Sequence, residues 1–334
     1  MFLKCIVIWQ NNSIDHSVIE DNFILKQTKT QTKFLYMKNI SKPIIVIGSG
    51  RSGTTIISEI LFRHEDLAWP SNYQEKFPSV PTVNFIRSVF ENKLWSLQGQ
   101  KPQLNKVSKI NKILFKPAEA YNFWEYLTGP KIDFSRGFLI EERPTENDIK
   151  RIRKAFRKLV NYQSKSRLAF KITGPSRIGY LKAVFPDAIF INVVREPLAT
   201  INSWLNVEFW QEKGKHQLWW TGAYTQQEEE WATKNADKPE LLAAMQYRKL
   251  MEITEKEIAD CKAHCLTIKY EDFVENASAV INSILHFAEL DSSKSVEEYL
   301  SGIKIFNQNK NEANDKSASH ESEILRILKG SYAF

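Results

Sequence analysis

"IIVIGSGRSGTT", residues 44–55, decides the fold. Its opening run is unbroken and apolar and ends in glycine, the pattern of a strand buried on both faces of a parallel sheet. Beyond the glycines, Ile56, Ile57, Ile60 and Leu61 fall on one helical face. Residues 44–63 therefore predict strand, glycine turn and helix. That is the outline of a phosphate-binding loop, G-x-x-x-x-G-K-[ST]. Gly48 and Gly53 keep the spacing and Thr55 takes the Ser/Thr place, but Thr54 stands where the lysine belongs. An anion can still be held. Gly48, Gly50 and Gly53 permit turn conformations closed to other residues. The N–H groups that open the helix point at a ligand with about half a unit of dipole charge behind them. Ser52, Thr54 and Thr55 add hydroxyl donors. The cation has moved into the loop, to Arg51, whose planar fork matches phosphate or sulfate oxygens.

Outward from that stretch the same rhythm repeats. "RLAFKITG", "AIFINVVRE" and "CLTIKYEDF" read as further apolar strands. Helical patterns lie between them: "SRIGYLKAVFP", "PLATINSWLNVEFW" and "NASAVINSILHFAEL". Strands alternating with helices imply an α/β fold, a central parallel sheet in a three-layer α/β/α arrangement. "HEDLAWPSNYQEKFPSVP" reads as a loop, and residues 83–128 as mostly helical. In "NDIKRIRKAFRKLVNYQ", Ile149, Ile152, Phe156 and Leu159 make the buried stripe, with six Lys and Arg residues around it. No internal repeat or low-complexity linker interrupts the chain. Residues 37–334 are expected to be one domain. Residues 1–36, polar and weakly periodic, are expected to be a poorly ordered extension.

The 334 residues carry a net charge of +7 and 43% hydrophobic side chains, 12% of all residues being aromatic. Such a chain builds a core rather than staying disordered. The mild basic excess suits an anionic ligand. Nucleic-acid binding has little support, since no recognised motif is present and the pI of about 9.0 is borderline. No apolar run approaches a membrane span, and the N-terminus lacks a signal-peptide cleavage pattern. Cys5, Cys261 and Cys265 are too few, and odd in number, for a disulfide framework. They point to a reducing, cytoplasmic setting. "CKAHC" lacks a fourth ligand, so no metal site is expected. No feature fixes an oligomeric state.

A second constellation sits further along. "FINVVREPLATINSWL" ends a buried strand in Arg195, and Ser203 follows on the next helix. The carboxyl end of a parallel strand is where such sheets bind ligands. Arg195 and Ser203 together suit one phosphate, although an ion pair of Arg195 with Glu196 or with a carboxylate at the sheet edge is the plainer alternative. With "RSGTT" after the first strand, this sequence resembles the sulfotransferases that use 3′-phosphoadenosine-5′-phosphosulfate (PAPS). The resemblance runs from about Lys42 to the C-terminus. It implies that Gly50, Arg51, Ser52, Gly53, Thr54 and Thr55 hold the 5′-phosphosulfate, and that Arg195 and Ser203 hold the 3′-phosphate. In "IKIFNQNKNEANDKSASHE", a stretch like the loop that closes over PAPS in the family, Lys310 is a further candidate contact. PAPS, or its product 3′-phosphoadenosine-5′-phosphate (PAP), would be the partner, with no metal.

Transfer to a hydroxyl needs a base. The family often places a glutamate after the first helix, where this chain has Ser71 and Asn72. Glu75 and Glu119 are the nearest candidates, with His64 a third. Trp204, Trp210, Trp219, Trp220 and Trp231 could stack on sugar rings or pack in a core. A carbohydrate is the expected acceptor. A degenerate kinase-like enzyme and a non-catalytic module binding nucleotides or polyanions are the alternatives.

Overall fold

The computed structural model describes residues 39–87, 91–92, 95–96, 115–307, 309 and 320–330. Ile40–Phe334 form one compact unit. The stretch 1–36, expected to be an extension, lies outside the described residues.

Five strands, β1 (Ile44–Gly48), β2 (Leu67–Ala68), β3 (Arg167–Thr173), β4 (Ile189–Val194) and β5 (His264–Lys269), form one parallel sheet. Their order is β2-β3-β1-β4-β5. The helices in chain order are α1 (Thr54–Leu61), α2 (Asn72–Lys76), α3 (Tyr121–Thr128), α4 (Glu146–Tyr162), α5 (Ile178–Val184), α6 (Pro197–Leu205) and α7 (Glu208–Lys213). After them come α8 (Gln226–Lys234), α9 (Pro239–Asp260), α10 (Tyr270–Glu275), α11 (Ala277–Phe287), α12 (Lys294–Gly302) and α13 (Glu321–Leu328).

Alternation along β1 divides the core. Ile45 and Ile47 face a layer built from α3, α4 and α5. Ile44 and Val46 face the opposite layer, from α1 and α11. This is the expected three-layer α/β/α sandwich. A third apolar cluster joins α6, α9 and α13 and takes in Trp204, Trp210, Trp220 and Trp231.

Helix α4 forms as its sequence pattern predicts. Thr145 and Asp148 cap each other's backbone N–H. Ile152, Phe156, Leu159 and Val160 are buried, each burial worth about 1.5–3 kcal/mol. Its basic face is only partly a solvated surface. Arg151 donates to the Leu127 carbonyl at 2.7 Å, and Arg153 to that of Val184 at 3.0 Å. These cations tie α4 to its neighbours.

Two local readings change. "HEDLAWP" contains β2, which pairs with the start of β3 through Leu67 and Ala68; two residues are too short to show a period. The stretch read as helical contains a 3₁₀ turn at Pro81–Phe85 and an antiparallel pair, Glu91–Asn92 with Trp95–Ser96. Among the described residues the α-helical parts within it are Ile86 and Arg87 and the whole of α3.

The register builds the site. Gly48 lies opposite both Thr173 of β3 and Val193 of β4. Val194 lies opposite Lys269 of β5. The glycine loop, the end of β3, Arg195 and Tyr270 therefore leave the sheet along one carboxyl edge.

Candidate active site

The loop after β1 needs glycine for two separate reasons. Gly48 has φ 155°, and a Cβ there would lie 2.4 Å from the Val193 carbonyl oxygen. Gly53 has φ 95°, and its Cβ would meet the Tyr270 ring at 2.4 Å. Gly50 is different, because its nearest neighbour would be 3.7 Å away. Arg51 itself adopts φ 70°, a conformation costly for a side chain of this size and found where a site over-determines the backbone.

Three successive carbonyls of this loop are turned into the protein. Ser52 donates its hydroxyl to the Ser49 oxygen at 2.7 Å. Trp204 Nε1 donates to Gly50 at 2.6 Å. Arg195 donates to Arg51 at 2.9 Å. With the carbonyls held back, the amide edge of the loop and the start of α1 are left for an anion. No side chain caps α1, so its first-turn N–H groups keep their donors.

Arg51 and Arg195 converge here. Arg51 Nε donates to Ser203 Oγ at 3.0 Å. The Arg195 guanidinium lies 5.0 Å over the Tyr270 ring, and its Nε donates to Asn309 Oδ1 at 2.7 Å. The plainer alternative for Arg195 is not what the structure shows. The Glu196 carboxylate instead accepts from Leu198 and Ala199, capping α6. Neither arginine has an ion-pair partner among the described residues. Burial lowers the pKa of Arg195, Tyr270 and Glu271 oppose the shift, and the charge of Arg51 adds to it. Two adjacent cations with no carboxylate in ion-pair contact are an arrangement that an anion relieves.

A cavity of about 860 Å³ lies against them. Gly50, Arg51, Gly53, Thr54, Thr55, Arg195 and Ser203 all line it, as do Tyr270 and Asn309. Ser52 does not: it is buried, and its N–H and hydroxyl both go to the Ser49 carbonyl. It closes the turn instead of facing a ligand. Lys310 lies outside the described residues.

A second cavity of about 610 Å³ adjoins the first and shares Arg51, Glu119 and Thr173 with it. Glu119 therefore stands where the two meet. One of its oxygens is 3.1 Å from Lys171 Nζ, and the other accepts from Thr173 Oγ1 at 2.8 Å. Lys171 also donates to Thr55 Oγ1 at 3.1 Å. Glu75 lines the second cavity only. It accepts from the Asn122 N–H at 2.9 Å, at the start of α3. Burial, chiefly, and the charge of Glu119 raise its pKa.

His64 is not placed to act as a base. It is buried, with Nε2 3.1 Å from the Asp291 carbonyl, and its Nδ1 accepts from the Asp66 N–H at 3.2 Å. Cys261 and Cys265 are free thiols. Burial pushes Cys265 up to about 11.

Lys171 was missed in the sequence, though a lone lysine inside the apolar strand "RLAFKITG" is a legible signal. Tyr270 and Asn309 carry no such mark. Only the register and the C-terminal path bring them to Arg195.

The family described as the sulfotransferase family matches residues 43–294. Among solved structures, a sulfotransferase of Mycobacterium avium, STF9, is similar at 15% identity with a TM-score of 0.55, covering 89% of this chain and 78% of that one. The sulfotransferase domain of the curacin biosynthetic pathway covers 89% of this chain and 100% of its own, at 14% identity and a TM-score of 0.45. Retinol dehydratase, solved with retinol and PAP, reaches 10% identity and a TM-score of 0.31, over 85% of this chain and 71% of that one. No curated protein matches at the sequence level.

Proposed function

Because this chain belongs to the sulfotransferase family, we propose that it moves a sulfuryl group from PAPS to a hydroxyl. One observation carries the reading. Arg51 and Arg195 meet at an uncapped helix start, joined through Ser203 and the Arg51 carbonyl, with no carboxylate paired to either among the described residues. Two anionic groups of one nucleotide suit that arrangement. The loop from Gly50 to Thr55 takes the 5′-phosphosulfate side, and Arg195 with Ser203 takes the 3′-phosphate.

PAPS supplies an activated sulfuryl group whose departure leaves negative charge on the 5′-phosphate. Arg51 and the α1 N–H groups are preorganised where that charge grows. Glu119 takes the proton of the acceptor hydroxyl, since it lines both cavities. Lys171 holds Glu119 and Thr55 in one frame and brings a positive charge to the same junction. Glu75 faces the acceptor side.

The expectation of a carbohydrate acceptor rested on the tryptophans. Trp204, Trp210, Trp220 and Trp231 are only 3%, 1%, 6% and 7% exposed. They belong to the third apolar cluster, which takes away most of that support. The free thiols suit a reducing compartment such as the cytoplasm. No helix among the described residues is long and apolar enough to cross a membrane. A kinase-like reading would need a magnesium-binding Asp after a buried strand, and β4 runs into Arg195 instead.

The test is calorimetric titration with PAP, ADP and ATP, followed by PAP release from PAPS in the presence of hydroxyl acceptors. Tight binding of PAP alone, with acceptor-dependent release, is expected. Equal binding of all three would break the 3′-phosphate assignment. Binding without release would leave a non-catalytic module.

A further inference from the structure

The second cavity differs in chemistry from the first. Its walls are aromatic: Tyr121, Trp204, Phe209, Trp210, Trp219 and Trp220. Several of the polar groups beside them are already engaged. Tyr121 donates its hydroxyl to the Thr173 carbonyl at 2.6 Å. The Ser135 hydroxyl goes to Glu125. Trp204 N–H goes to Gly50, and Glu75 accepts from Asn122. A polyol entering this space would lie mostly against aromatic rings, with Arg51, Glu75, Glu119 and Lys213 as its charged partners, and hydroxyls left unpaired resist burial.

One charge stands out. Lys213, at the end of α7, lines the cavity with its ammonium 4.7 Å over the Trp219 ring and 5.2 Å over Phe209. It makes no ion pair among the described residues. A cation fixed between two ring faces, at the rim of an aromatic pocket, suits an anion carried by an apolar body.

Resting on the sulfuryl-transfer reading, we propose that the acceptor is a compact hydroxylated aromatic ring system bearing a carboxylate. Its carboxylate pairs with Lys213 while its hydroxyl reaches the junction at Arg51 and Glu119. The volume of about 610 Å³ lies within the range of small-molecule pockets and accommodates a skeleton of two or three rings. In the transfer, the hydroxyl oxygen bonds to sulfur and its proton passes to Glu119. The bond between sulfur and the 5′-phosphate oxygen breaks, and the phosphate keeps the electron pair.

The experiment uses the full chain and three probes: 6-hydroxy-2-naphthoate, 2-naphthol and N-acetylglucosamine. Each is titrated by calorimetry into the wild type, Lys213→Met and Lys213→Glu, and PAP is titrated into all three proteins. The expected result is saturable binding of both naphthyl compounds and none of the sugar. Lys213→Glu should weaken the carboxylate about tenfold or more while 2-naphthol stays within about twofold, as for a charge pair replaced by like-charge repulsion. Lys213→Met should fall between. Unchanged PAP affinity shows that the variants fold. Sugar binding in place of the naphthyl compounds, no binding of either naphthyl compound, or equal losses for both in Lys213→Glu would overturn the inference. Failure of PAP to bind a wild type that binds the naphthoate would instead overturn the donor assignment alone.

Discussion

The guanidinium of Arg51 donates to the hydroxyl of Ser203 at 3.0 Å, across 152 positions of sequence. Arg195, eight positions before Ser203, returns a bond to the Arg51 carbonyl at 2.9 Å. Two separate stretches of the chain thus form one reciprocal clasp, in which each arginine helps to hold the other motif.

Arg195→Ala should weaken PAP by about 10- to 100-fold, the range for a charged hydrogen-bonding partner. Adenosine 5′-phosphate should lose little. Calorimetry on both nucleotides measures the difference. Equal losses would show that Arg195 supports the loop rather than reading the 3′-phosphate.

Arg51→Ala should slow turnover at saturating PAPS more than it weakens PAP binding, because its charge matters most as the sulfuryl group leaves. A decrease in kcat of about 100-fold is the expected scale for losing one such donor. Normal kcat with raised KM would restrict Arg51 to uniform binding.

Gly53→Ala should destabilise the protein by at least about 1–3 kcal/mol, since a positive φ and a collision with the Tyr270 ring act together. Gly50→Ala has room and should change stability by less than about 1 kcal/mol. Urea unfolding midpoints of the two variants would show the contrast. Similar midpoints would mean that the Tyr270 ring moves aside freely.

Glu119→Gln should lower kcat by about 10²–10⁴, the contribution of a placed general base, while PAP affinity holds. Glu75→Gln should reduce kcat less. If Glu75→Gln proved the more damaging, the base would be Glu75 and Glu119 an ion-pair partner of Lys171.

Glu75 also sets a pH dependence. Its raised pKa means that the folded protein holds that proton more tightly than the unfolded chain does. Its contribution to stability is complete below the ordinary carboxylate pKa, roughly 4. It is lost as pH rises through the raised value. Glu75→Gln should therefore flatten the fall in stability from about pH 4 upward, read from urea midpoints at several pH values. An unaltered slope would mean that the carboxyl titrates normally.

The sheet was largely legible because its central strands are buried on both faces and read as continuous apolar runs. The glycine loop was legible because its backbone needs restrict residue type. β2 was not, since two residues cannot display a period. The tryptophans were ambiguous for a chemical reason: an indole that stacks on a ligand and one that packs in a core look alike in sequence. Here the core took most of the area of Trp204, Trp210, Trp220 and Trp231. Ser52 was read as a ligand donor from its hydroxyl alone, and the turn it closes could not be seen without coordinates. Glu75 and Glu119 were found by proximity, yet Glu75 takes its surroundings from α3 and Glu119 from Lys171, each distant from it in sequence.

Trp204 touches both halves of the site, with its N–H on the Gly50 carbonyl and its ring in the wall of the second cavity. A ligand that tilts the ring must also pull on the phosphate loop. Thermodynamic reciprocity then applies: whatever factor an acceptor imposes on nucleotide affinity through this indole, the nucleotide imposes on the acceptor. Occupants of the two cavities would thereby be coupled before any bond is exchanged, with this indole as one of the groups that carry the coupling.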